Sequence, residues 1–120
     1  HLAQSVKAWG EEVMGSYGYS SIGAVVAATY PEEAKRLRKE MPNTFFLVPG
    51  FGAQGGKASD IVYSFDKNGL GAIVNSSRGI LGNYLKEGGR DISLYDFKNS
   101  LIRATLTMQN QLIEAIENRE

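Results

Sequence analysis

The sequence predicts an α/β fold built on parallel strands, and three observations carry that expectation. Short apolar runs alternate with amphipathic helical stretches along all 120 residues. The runs are continuously apolar instead of alternating with polar residues, the pattern of strands covered on both faces, as in parallel sheets. A glycine-rich segment directly follows the second run and precedes a helical stretch, a placement that lets backbone N–H groups approach an anion.

Taken in order, Leu2, Val6, Trp9 and Val13 recur at helical spacing and mark a first amphipathic helix. Gly15 to Gly23 is a connection rich in Gly, Ser and Tyr, after which Ala24-Val25-Val26-Ala27-Ala28 reads as a strand. Pro31 suits the first turn of a second helix, and Glu32 and Glu33 suit the positive end of its dipole. Lys35, Arg36, Arg38 and Lys39 carry that helix on towards Pro42. The second strand, Phe45-Phe46-Leu47-Val48, runs straight into Pro49-Gly50-Phe51-Gly52-Ala53-Gln54-Gly55-Gly56. A helix is expected from about Ala58 to Asp66, ending at Asn68-Gly69. Gly71 to Asn75 forms the third strand, followed by Ser76-Ser77-Arg78-Gly79 and a short helix containing Ile80, Leu81 and Leu85. After a break at Gly88-Gly89, Asp91 or Ser93 can cap a last long helix. Its apolar stripe is Phe97, Leu101, Met108, Leu112 and Ile116.

Repeated strand–loop–helix units imply parallel strands joined by right-handed crossovers. Three such strands leave two bare edges, and the first helix has no strand before it. A closed eight-stranded barrel removes the edges but takes roughly 250 residues. The chain, which starts at His1, is therefore expected to be the C-terminal portion of a single (β/α)8 barrel domain, residues 1–120, with the earlier strands absent.

Composition narrows the function classes. Thirteen acidic and 13 basic residues give a net charge of zero, so no long-range field points to nucleic acid or an anionic membrane. No apolar run approaches the roughly 20 residues that span a bilayer. The absence of cysteine removes disulfides and thiolate chemistry and fits a reducing cytoplasm. Metal ligands are not clustered, and the single histidine, His1, stands at the terminus, so neither a metal site nor a Ser/His/Asp nucleophile is expected. Asp60 and Asp66, on helices, are expected to be solvated, and Tyr17, Tyr19 and Tyr30 to serve packing.

Two loops carry candidate chemistry. Gly50 to Lys57 suits an anion, but it is not a dinucleotide fingerprint, which needs an acid about 20 residues further on. Asn75, Ser76 and Ser77 occupy that region. A P-loop fails too, because Ala58 follows Lys57 and Phe51 stands at the first glycine position. In the second loop Arg78 offers a rigid fork of donors matched to phosphate oxygens. In complete barrels the loops after the last two strands commonly form a phosphate site, which would bring Gln54 and Arg78 together.

Ala24 to Glu32, Phe46 to Gly56 and Val74 to Ile80, in that order and spacing, resemble the last three strands of orotidine 5′-phosphate decarboxylase in its longer-chain bacterial branch. The resemblance implies a cytoplasmic (β/α)8 barrel, a homodimer, that converts orotidine 5′-phosphate to UMP and carbon dioxide in pyrimidine biosynthesis without a cofactor. It places the Pro-Gly turn beside the pyrimidine on Pro49 and Gly50, the phosphate-loop glutamine on Gln54 next to Gly55, and the phosphate-binding arginine on Arg78. Many relatives have glycine just before that arginine; here it is Ser77. The family's catalytic Lys/Asp set sits on early strands, so no catalytic residue is expected in this segment, which alone should be inactive. Its partners are then the nucleotide and the remaining N-terminal part of the barrel. Two alternatives are another phosphate-binding barrel enzyme, such as a sugar-phosphate decarboxylase or epimerase, and a non-catalytic half barrel.

Overall fold

The computed structural model describes residues 1–52 and 56–119. Three strands, β1 (Gly23–Val25), β2 (Phe45–Pro49) and β3 (Ala72–Asn75), pair in parallel in the order β1-β2-β3. Helices α1 (Leu2–Glu11), α2 (Pro31–Glu40), α3 (Ala58–Ile61), α4 (Ser77–Leu81), α5 (Tyr84–Glu87) and α6 (Leu94–Glu117) connect and flank them. The expected order of strand and helix units is thus present.

Register explains which residues form the core. Val25 stands opposite Leu47, Leu47 opposite Ile73, and Pro49 opposite Asn75. Successive side chains on a strand point to opposite faces, so Phe46 and Val48 share the other face. Both are fully buried there, packed with Val26, Ile61, Phe65 and Met108. The row Val25, Leu47 and Ile73 is 70%, 43% and 59% exposed. Helices cover one face and leave an apolar row bare on the other, as expected of strands whose remaining cover lies in the rest of a barrel. The radius of gyration, 16.3 Å, exceeds the roughly 13.6 Å typical of a compact domain of this length.

Several element limits differ from expectation, each for a local reason. β1 ends at Val25, before the expected Ala28, although Val26 N–H still donates to Leu47 O (2.9 Å) and Ala28 N–H to Pro49 O (3.2 Å). In α1 the half-buried Ala3 and Val6 pack on the core, while Leu2 and Trp9 are exposed, and Val13, exposed too, lies beyond the helix end. The helix expected up to Asp66 is only α3 plus one 3₁₀ turn, Val62–Ser64. Asp66 ends it by drawing the N–H groups of Asn68 (2.8 Å) and Leu70 (2.9 Å) onto its carboxylate. Ser93, and not Asp91, caps α6, its Oγ accepting from Asp96 N–H at 3.1 Å.

Charged groups find internal partners at the amino end of the sheet. Arg38, in a helix that reads as a charged surface, is 8% exposed and lies over the Phe46 ring, 3.7 Å from its centre. Its guanidinium donates to Thr44 O (2.8 Å), Gly71 O (2.8 Å), Ser64 O (2.9 Å) and Met41 O (3.0 Å). One side chain thus ties the end of α2 to the starts of β2 and β3 and to the 3₁₀ turn. Burial lowers its pKa, against the opposing charges of Asp66 and Tyr19. Asp66 is not simply solvated, as expected, but accepts a hydrogen bond from the Tyr19 hydroxyl. The Tyr19 ring packs on Phe45, with centres 4.5 Å apart.

This pair makes stability depend on pH. Burial, the bond to Asp66 and that carboxylate's charge push the Tyr19 hydroxyl up to about 12. For Asp66, partial burial favours the neutral acid, but Tyr19, the Leu70 and Asn68 N–H groups and Arg38 outweigh it and hold the pKa below its usual value. Tyr19 therefore contributes stability that is complete below the unfolded tyrosine pKa of about 10. That contribution is lost as pH rises through about 12. The Asp66 contribution is complete above about pH 3.9 and is lost as pH falls through its depressed value. Tyr19→Phe should flatten the alkaline decline in urea unfolding midpoints of the complete protein. Superimposable alkaline limbs for the variant and wild type would rule this coupling out.

Candidate functional site

At the carboxyl end of the sheet, the loops after β2 and β3 meet. Pro49, the last residue of β2, accepts the Ala28 N–H bond and is registered against Asn75. Gly50 and Gly52 follow with φ of +100° and +71°, a left-handed backbone that side chains disfavour. Between them the Phe51 side chain turns into the core, 9% exposed, and anchors the loop. Gly52 N–H donates to Gly56 O (2.9 Å) and Gly56 N–H to Gly50 O (3.3 Å), drawing the two ends of the loop together. A Cβ at Gly56 would lie 2.7 Å from Ala28 Cβ and 2.9 Å from Gly50 O, so the crossing admits only glycine. Gln54 and Gly55, two of the expected phosphate-loop residues, lie outside the described residues.

Beyond β3, Ser76 precedes α4, which starts at Ser77 and Arg78. The Ser76 hydroxyl donates to Phe51 O at 3.0 Å, joining the two loops. Pro49, Gly50, Phe51, Asn75, Ser76, Ser77 and Arg78 surround a hollow of about 100 Å³. A water takes about 30 Å³ in the liquid, so the hollow suits a few waters or one small oxyanion. Arg78 is exposed and, among the described residues, makes no side-chain hydrogen bond or ion pair. A larger hollow of about 570 Å³ lies between the first loop and α6, but neither Asn75 nor Arg78 lines it.

Pro49, Gly50, Ser77 and Arg78 thus line one hollow. Asn75, on the same face as the bare row Val25, Leu47 and Ile73, and Ser76 join them, and neither residue type alone marked them out. The perturbed titratable groups stand elsewhere. Arg103 grips Glu87 at 2.6 Å and, with Ser100 and Asn83, holds that carboxyl at about 2 on the exposed side of α5 and α6. Among the described residues no three His, Cys, Asp or Glu side chains cluster as metal ligands, and no helix is long and apolar enough to cross a membrane. What this end of the sheet can do is hold an anion: backbone at glycines, short hydroxyls and one open guanidinium converge on a small hollow.

No family model matches the chain. Among curated proteins, it is 45% identical over 115 residues to the orotidine 5′-phosphate decarboxylase of Caldicellulosiruptor bescii, covering 96% of this chain and 36% of that protein. It is 42% identical over 118 residues to the enzyme of the same name from Clostridium tetani, covering 98% and 39%. The chain therefore spans little more than a third of the length of these relatives. Among solved structures, a candidate orotidine-monophosphate-decarboxylase from Toxoplasma gondii superposes with a TM-score of 0.72 at 21% identity, over 97% of this chain and 40% of that one. Leishmania donovani UMP synthase gives a TM-score of 0.58 at 28% identity, over 92% and 22%. The resemblance to the C-terminal part of orotidine 5′-phosphate decarboxylase holds along nearly the whole chain. So does the fold class, the C-terminal part of a (β/α)8 barrel with three parallel strands and their helices.

Proposed function

We propose that these 120 residues are the phosphate-gripping portion of an orotidine 5′-phosphate decarboxylase, whose full barrel releases carbon dioxide from the nucleotide to leave UMP. The observation that carries this is the hollow at the ends of β2 and β3, with Arg78 open towards it and Pro49-Gly50 on its other wall. Arg78 supplies charge and direction to the phosphate, and Gln54 and Gly55, in the same loop sequence, are assigned to that grip by resemblance. Pro49 and Gly50 are assigned to the pyrimidine side. In the resembled family a lysine flanked by aspartates on early strands protonates the carbon that loses carboxylate. This chain has no counterpart of that set, so its role is to hold the nucleotide by a group remote from the reacting carbon. Such remote binding energy is useful when it drives closure around the reacting end, because it then lowers the barrier and not only KM. The reading extends to a lyase of pyrimidine biosynthesis in the cytoplasm, a homodimer, with the rest of the barrel as this segment's partner.

The bare row Val25, Leu47 and Ile73 supports that division, since a barrel's remaining strands would cover it. The test pairs this chain with the portion of the Caldicellulosiruptor bescii relative that it does not match, assayed by loss of orotidine absorbance. Neither piece alone should turn over, and the pair should. Turnover by residues 1–120 alone would overturn the division of labour. A folded, complete barrel without activity on orotidine 5′-phosphate would overturn the assignment.

A further inference from the structure

We infer that Ser76 is a positioning residue for the phosphate grip, fixing the loop after β2 to the loop after β3 so that Arg78 and the Gly50 backbone face one anion. The inference rests on the phosphate-binding reading above. Ser76 directly precedes α4, where a serine ordinarily turns its oxygen back to accept an N–H of the first helical turn. It makes no such bond here. The hydroxyl instead reaches across and donates to Phe51 O at 3.0 Å, in a site where Ser76 is 8% exposed. Among the described residues, and beyond the strand ladder, this is the hydrogen bond that connects the two loops. The first loop's other bonds among the described residues, Gly52 to Gly56 and Gly56 to Gly50, close it on itself. Phe51 has a left-handed glycine on each side, so its peptide has unusual freedom to rotate, and the Ser76 bond selects one orientation.

Gly79 is fitted to this arrangement. A Cβ there would stand 2.3 Å from Ser76 Oγ, a distance at which the hydroxyl must move, yet 3.5 Å from Ser76 Cβ, an ordinary contact. Alanine at 79 should therefore break the bond by displacing the hydroxyl, and should be harmless once residue 76 has no hydroxyl. That dependence separates a positioning bond from general packing.

The experiment uses the complete enzyme containing this chain and measures inhibition by UMP and by uridine, kcat and KM for orotidine 5′-phosphate, and Tm. Ser76→Ala and Gly79→Ala should each weaken UMP about tenfold, the scale of one hydrogen bond. Both should raise KM more than they lower kcat and leave uridine near the wild type, while Tm falls by a few degrees because the buried Phe51 carbonyl loses its donor. The double variant should be no worse than Ser76→Ala. Should Gly79→Ala fail to fold alone, recovery of the fold in the double variant reads the same dependence, and Ser76→Ala still reports the affinity. Unchanged UMP inhibition in Ser76→Ala, equal losses for UMP and uridine, or additive effects in the double variant would overturn the positioning role while the wild type remains active. A wild-type enzyme that neither turns over the nucleotide nor binds UMP would remove the functional reading and this inference together.

Discussion

Replacing Arg78 by alanine in the complete enzyme should lower kcat/KM for the phosphorylated nucleotide by about 2–5 kcal/mol, the usual loss when one partner of a desolvated charge pair is removed. The size follows from what Arg78 does not do in the free protein. Its guanidinium has no hydrogen-bonding partner among the described residues, so no contact to them is sacrificed and Tm should barely change. The loss is then one of ligand contact alone. A substrate lacking the phosphate should show a much smaller penalty, because it never made the contact. Lysine should recover part of the effect as a point charge without the planar fork. Kinetics of the three variants on both substrates decide it: equal penalties with and without phosphate would make Arg78 structural.

The other large effect lies at the opposite end of the sheet. Arg38→Met should destabilise the complete protein by about 2–6 kcal/mol, because two close carbonyl acceptors, Thr44 O and Ser64 O, lose their donor and each unsatisfied buried group costs about 1–3 kcal/mol. Met41 O and Gly71 O also lose the guanidinium but keep the N–H groups of Thr44 and Phe46. Methionine keeps most of the volume over Phe46, which isolates the polar loss from a cavity. Arg38→Lys should recover only part, since an ammonium cannot reach acceptors spread around a planar fork. Urea unfolding provides the measure, and a loss below about 1 kcal/mol for Arg38→Met would mean that water replaces the guanidinium.

The sequence made the fold order readable because Pro31, the two Gly-rich loops and Ser93 punctuate it, and each does locally what its residue type does best. It hid the bare face, because the two faces of β2 are equally apolar: Phe46 and Val48 are buried while Leu47 is not. Only the register and the neighbouring helices distinguish them. Arg38 was hidden for a different reason. A run of charges in a helix looks solvated, and its four acceptors come from segments that only tertiary structure brings near. A trace was nonetheless present, since the buried Ala34, Arg38 and Met41 recur at helical spacing. At the site, Arg78 was legible as a fork of donors, and Pro49-Gly50 through the family resemblance. Ser76 was not, because a serine before a helix already has an ordinary explanation as a cap.

The two ends of the sheet treat polar groups in opposite ways: Arg38, Tyr19 and Asp66 hold internal partners, whereas Arg78 has no side-chain partner among the described residues. β2, the five residues Phe45–Pro49, separates them by about 13–16 Å at 3.3 Å per residue. Substitutions that far apart with no shared partner combine additively. Epistasis should accordingly be confined within each end, tight between Ser76 and Gly79 and absent between Arg38 and Arg78. Robustness and ligand choice in this barrel segment can therefore drift along separate mutational paths, neither setting the terms for the other.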